Sequence, residues 1–293
     1  MVDLKEIEQK LIEQRVLGLK ISVGSDTVYE KYWDEDCRRN IYSASKSFTS
    51  CAVGFAVQEG LIDLNERLVD AFAEDIPMHP DRNLQMATVK DLLTMTLGQE
   101  KGFLMGKQRP RMEEEDWVKA ALAIPFVYEP RMHFVYNNVG PYLAGMLVQR
   151  RAGCDLLAYL TPRLLNPLKI RRTVWEVDPL GNTFGAGGLF LTVSELHKLG
   201  LLYLQDGSWN GKQLLSKEWI RESTRKQVEN DKNAYGYGYL FWGGRHNCFL
   251  ANGKYGQYTI GFRNKNAVIT LMSENRQTDR LEEFITDEVY KML

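Results

Sequence analysis

The chain has 293 residues, of which 44% are hydrophobic and 26% charged, proportions of a globular protein rather than a disordered one. Lys and Arg total 37 against 38 Asp and Glu, so the net charge of -1 offers no basic excess for nucleic acid or an anionic membrane. No run of about 18 apolar residues reads as a membrane span, and Cys37, Cys51, Cys154 and Cys248 lack the CxxC spacing of a zinc site.

Residues 3 to 15 read as an amphipathic helix with early acidic residues. They lack the apolar core and small-residue cleavage site of a secretory signal, so a reduced, cytoplasmic chain is expected. Leu17 to Val23 and Thr27 to Trp33 read as strands joined by a hairpin at Gly24, Ser25 and Asp26. Helical patterns then dominate. Phe48 to Val57 is a buried helix, and Thr88 is an N-cap for the next. Lys107, Arg109 and Arg111 read as a solvated loop, and Glu113, Glu114, Glu115 and Asp116 as an acidic first helical turn. Trp117 to Ala123, Val139 to Val148, Asp155 to Leu165 and Ser194 to Leu204 follow as helices. Four apolar or alternating segments (Tyr235 to Trp242, Asn247 to Ala251, Tyr255 to Phe262, Ala267 to Met272) read as strands, and Asp279 to Leu293 as a closing helix.

The pattern predicts one α/β domain of α+β type over residues 1–293. Its mostly antiparallel sheet is built from N- and C-terminal strands, about 15–43 and 234–293, and flanked by helices. A large helical insertion occupies about 44–230.

Ser43-Ala-Ser-Lys46 places a hydroxyl and an amine one helical turn apart. A serine needs a base to become a nucleophile, and a lysine serves if desolvation and a nearby positive dipole depress its pKa. The helix N-terminus beside it offers N–H groups to an oxyanion. The spacing alone is weak, because Ser-x-x-Lys arises by chance roughly once in such a chain; Ser223-Thr-Arg-Lys226 is a second match. Ser43 stands at a strand-to-helix junction before an apolar helix, whereas Ser223 lies in a polar helix where water is its expected neighbour.

Tyr136-Asn-Asn138 precedes a helix. Taken alone, it is equally an aromatic packing residue followed by an Asn N-cap. As chemistry, a tyrosine beside an ammonium has a lowered pKa and shuttles a proton, while Asn138 orients a lysine and a substrate carbonyl. Ala251-Asn252-Gly253-Lys254-Tyr255-Gly256 has glycines in a strand, which mark either close approach to a ligand or a simple bulge. Gly185 to Ser194 is Gly-rich, lacks phosphate-loop spacing, and reads as a tight turn near the site. His79, His133, His197 and His246 read as surface or structural residues.

In this order, the elements resemble the serine β-lactamase and penicillin-recognising family, in its class C-like branch of D-aminopeptidases, carboxylesterases and 6-aminohexanoate-dimer hydrolases. The resemblance implies a β-lactamase/DD-peptidase-like fold in which Ser43, Lys46 and Tyr136 are catalytic. It implies an oxyanion hole from the backbone N–H groups of Ser43 and Lys254, and substrate binding by Asn138, Asn252, Gly253 and Tyr255. It implies an acyl-enzyme on a small-molecule substrate with no cofactor, metal or protein partner. The third motif departs from the lactamase pattern: Ala251 stands where a lysine meets the β-lactam carboxylate, which favours an esterase or amidase. A D-aminopeptidase, a weak β-lactamase, and an idle binding or sensor domain are the alternatives. Gly102 to Arg111, Phe184, Trp242 and Tyr255 are the expected pocket walls.

Overall fold

The structure, a computed structural model, describes residues 4–293, so Asp3 of the predicted first helix lies outside the described residues. Helix α1 (Leu4–Glu13) leads into strands β1 (Val16–Val23) and β2 (Asp26–Tyr32). The chain returns to the sheet only near its end, with β3 (Trp242–Gly244), β4 (Cys248–Gly253), β5 (Gln257–Phe262) and β6 (Ala267–Ser273). These form one six-stranded antiparallel sheet in the order β2-β1-β6-β5-β4-β3. The pairing of β1 with β6, Leu19 opposite Leu271 and Ile21 opposite Ile269, closes the sheet across the whole sequence.

The intervening helices include α2 (Ser45–Gln58), α3 (Val89–Thr94), α4 (Val139–Ala152), α5 (Val193–Leu204) and α6 (Lys217–Thr224), and α7 (Thr278–Asp287) follows the sheet. Helix α5 packs on β5 and β6. A Cβ at Gly200 would meet Thr259 Oγ1 at 2.4 Å, so only glycine permits that approach. Helix α2 packs against α4 and is buried along nearly its whole length, from Ser45 to Ala56. Burying one large side chain there, such as Phe48, contributes about 1.5–3 kcal/mol. Two of its polar residues are bonded inside the protein: Ser47 Oγ donates to Leu240 O at 2.9 Å and Thr49 Oγ1 to Gly185 O at 2.6 Å. Thr88 caps α3 as expected, in a capping box with Asp91.

Two predicted elements differ. The strand expected over 235–242 is reduced to Trp242 at its end. Positive φ at Gly236 and Leu240 turns the backbone, and Leu240 N–H donates to Leu93 O at 3.0 Å. Tyr237, Tyr239 and Phe241 are buried all the same, so their hydrophobicity signals core and not a strand. The acidic run lies before its helix: the helix starts at Trp117, and only Asp116 caps it, accepting from Lys119 N–H at 3.1 Å.

Candidate active site

Ser43 lies in a short 3-10 turn, Tyr42–Ala44, that runs into α2. A two-residue ladder, Arg39–Asn40 with Phe190–Leu191, holds the preceding segment, and Ile41 N–H donates to Leu189 O at 2.9 Å. Tyr42 is left-handed at φ 48, its N–H donating to Asn40 Oδ1 at 2.7 Å. Such a conformation costs a non-glycine residue about 1–3 kcal/mol and collects at functional sites. Leu104 and Tyr255, also at the site, share it.

Lys46 is 1% exposed and donates to three acceptors: Ser43 Oγ at 3.1 Å, Asn138 Oδ1 at 2.7 Å and Ala186 O at 2.7 Å. Burial, and then the neighbouring Arg109 guanidinium, push its pKa down to about 7. Amine and ammonium are therefore both populated near neutral pH, as a general base requires.

Asn138 is freed for this contact by its neighbour. The Asn137 side chain caps α4, accepting from Gly140 N–H at 2.9 Å, so the expected N-cap role belongs to Asn137. Asn138 Nδ2 donates to Leu104 O at 2.9 Å, and its N–H to Phe103 O at 3.2 Å. The loop from Gly102 to Arg111 is thereby fastened beside the lysine.

The Tyr136 ring lies 5.1 Å from Lys46 Nζ and packs on Trp242 at 5.4 Å. Its phenol departs from the lowered pKa expected for it. Burial pushes it up to about 12, with the hydrogen bond to Ser43 opposing the rise. Lys46, itself near neutral, does not offset the desolvation of a phenolate. Tyr136 thus holds its proton at working pH.

The end of β4 closes the site. A Cβ at Gly253 would sit 2.1 Å from Ile41 O, so glycine admits the strand against the segment leading to Ser43. Lys254 follows in the turn, its Nζ 4.6 Å from the Tyr255 ring centre, and Tyr255 packs edge-on against Tyr42 at 5.4 Å. Asn252 on β4 is half-buried, and its side-chain amide has no hydrogen-bond partner among the described residues. Neither the Ser43 nor the Lys254 backbone N–H has a hydrogen-bond partner among the described residues.

Sequence reasoning missed three contributors. Ala186 and Leu104 act through main-chain carbonyls, and their signals were only regional: the Gly-rich stretch around Ala186 and the expected pocket wall Gly102 to Arg111. Arg109 was read as solvated loop. Its guanidinium instead stacks 4.2 Å over the buried Phe184 ring and pairs with Glu176 at 2.5 Å, while its Nε is buried without a partner. Phe184 is thus covered by Arg109, and Trp242 backs the Tyr136 ring.

The second Ser-x-x-Lys match is not surrounded by water. Ser223 is fully buried, and its hydroxyl donates to Trp219 O at 2.7 Å and Ile220 O at 3.2 Å, because α6 turns that face inward. Lys226 lies outside and pairs with Glu229 at 2.5 Å. Of the histidines, His197 is buried between Ser22 and Thr270, and burial pushes it down to about 3. His246 stacks on Tyr290. No group of three or more His, Cys, Asp or Glu side chains could hold a metal ion, and no helix is long and apolar enough to cross a membrane, among the described residues.

A sheet closed by both termini, with a buried lysine and a serine at the mouth of the central helix, defines a β-lactamase fold, the scaffold of hydrolases and acyltransferases. The sequence model of the beta-lactamase family matches residues 4–289, and the chain belongs to that family. An uncharacterized protein of Alkalihalophilus pseudofirmus is 25% identical over 242 residues, 72% of this chain and 65% of that one. Monacolin J acid methylbutanoyltransferase of Aspergillus terreus is 28% identical over 166 residues, 50% of this chain and 39% of its own. The chain thus spans less than two thirds of either relative. In fold, it is similar to a candidate 6-aminohexanoate-dimer hydrolase from Bacillus anthracis, with TM-score 0.82 at 20% identity over 99% of this chain and 81% of that one. It is similar also to the octameric penicillin-binding protein homologue from Pyrococcus abyssi, with TM-score 0.76 at 20% identity over 98% and 76%.

Proposed function

We propose that this chain is a serine hydrolase that cleaves an ester or amide of a small substrate through an acyl-enzyme on Ser43. The observation that carries the reading is the contact of the buried Lys46 amine with the Ser43 hydroxyl at 3.1 Å. Neutral Lys46 takes the hydroxyl proton as Ser43 Oγ bonds to the substrate carbonyl carbon. The oxyanion is received by the unpartnered N–H groups of Ser43 and Lys254. As the carbon–leaving-group bond breaks, protonated Tyr136 gives its proton to the leaving group and is reprotonated from Lys46. Water then attacks the acyl carbon, its proton returning to Ser43 along the same groups. Asn138 holds Lys46, and Asn252, Gly253 and Tyr255 border the acyl site.

The relatives favour a second outcome of the same intermediate. An alcohol in place of water makes the protein an acyltransferase, the activity named for the Aspergillus terreus relative.

Intact mass after treatment with a fluorophosphonate or a penicillin tests the acyl-enzyme. One adduct on wild type and none on Ser43→Ala is the expected result. Equal labelling of both, or no adduct from any acylating probe, overturns the reading and leaves an idle binding domain on this fold.

A further inference from the structure

Lys232 stands over the catalytic tyrosine. Its Nζ lies 5.9 Å from the Tyr136 ring centre and 5.8 Å from that of Trp242. The residue is exposed, and its ammonium has no carboxylate within ion-pair distance among the described residues. Its place is set by asparagines: Asn230 Oδ1 accepts from Lys232 N–H and from Asn233 N–H, both at 2.8 Å, and Asn233 Oδ1 accepts from Tyr235 N–H at 2.9 Å. Beneath it, Tyr136, Trp242, Tyr237 and Phe134 form one aromatic cluster.

We propose that Lys232 is a specificity-determining residue on the leaving-group side, and that the preferred substrates are esters or amides whose leaving alcohol or amine carries a carboxylate. The inference rests on the serine-hydrolase reading. In that mechanism the leaving atom stands beside the Tyr136 hydroxyl, because it receives the phenol proton. The Lys232 ammonium lies over the same ring. The 5.9 Å between the ammonium and the ring centre is comparable to the reach of about five covalent bonds. An ammonium on an aromatic face keeps its outward N–H donors for a carboxylate, and such charge-assisted bonds are stronger than neutral ones.

The other cations near the site do not share this position. Arg109 is paired with Glu176. The Lys254 ammonium lies over Tyr255. Glu282, the acid that feels Lys232, is pushed up to about 7 by burial, so near neutral pH about half of it is uncharged, and it makes no ion pair with the ammonium. Lys232 is therefore the cation above Tyr136 with a vacant partner position.

The test compares 3-acetoxybenzoate with its methyl ester, which share acyl group and aryl leaving group and differ in one negative charge. The quantity read is the ratio of kcat/KM, charged over neutral, which does not depend on how much of a variant is folded. Lys232→Met is expected to lower the ratio about tenfold and Lys232→Glu further, while Lys232→Arg preserves it. Added salt should lower the wild-type ratio, since the ammonium is exposed. Wild type that hydrolyses the methyl ester with the same ratio as Lys232→Met overturns the inference alone. Wild type that hydrolyses neither ester overturns the hydrolase reading and the inference with it.

Discussion

Ser43 and Lys46 stand at the entry to α2, and Ser223 and Lys226 at the exit of α6, with the same spacing and opposite environments. At the first pair the lysine is sealed and bonded to the serine, and the serine is reachable. At the second the serine is sealed against its own helix and the lysine stands in water beside Glu229. A base must lose its hydration to be basic at the wrong pH for lysine, and a nucleophile must keep its access. Only the first segment separates the two residues in that sense, because the strand-like ladder before it and the buried helix after it put Ser43 at the rim and Lys46 inside.

That contrast breaks most sharply at the lysines. Lys46→Met is expected to lower the rate of acylation by p-nitrophenyl acetate about 10³-fold, since base and nucleophile act as a unit. Lys226→Met should change it by less than about twofold, as an exposed ion pair contributes little. Near-normal turnover in Lys46→Met would refute the base assignment. A pH profile sharpens the same point. With Lys46 at about 7, kcat/KM should fall about tenfold per pH unit below that value. Tyr136, held up to about 12, should add no loss between neutral pH and about pH 10. Stability follows with the same sign: the buried amine prefers to be neutral, so its penalty is full below about 7 and is relieved as pH rises towards 10.5.

The contrast also shows where the chain's own pattern was informative. Ser43, Lys46, Tyr136 and Asn138, which the structure brings together, stood out as candidates because each declares its chemistry by side-chain type and short-range spacing. The sheet built from both ends was legible through the strand patterns of β1 and β2 and the short apolar runs of β5 and β6. What stayed hidden depends on distant segments meeting. The carbonyls of Ala186 and Leu104 have no side-chain signature, and Arg109 looks like any loop cation until Phe184 and Glu176 enclose it. Tyr237, Tyr239 and Phe241 read as a strand because burial produces the same hydrophobicity whether or not the backbone is extended. Ser223 read as solvated because its helix is polar on one face only.

The smallest effects separate two adjacent asparagines. Asn137 caps α4 through Gly140 N–H, and Asn138 holds Lys46. Asn137→Ala should therefore lower thermal stability by about 1 kcal/mol, the usual value of a lost cap. Asn138→Ala should lower kcat/KM about tenfold, and its pH profile carries the diagnosis. The Asn138 carbonyl oxygen accepts from Lys46 and so favours the charged amine; without it the acid limb should move below about pH 7. If instead the limb stays put and only stability falls, Asn138 is a second structural residue, and Lys46 is oriented by Ala186 O and Ser43 alone. A shift to lower pH with little loss of stability would tie the amide to the base itself, which a packing residue could not do.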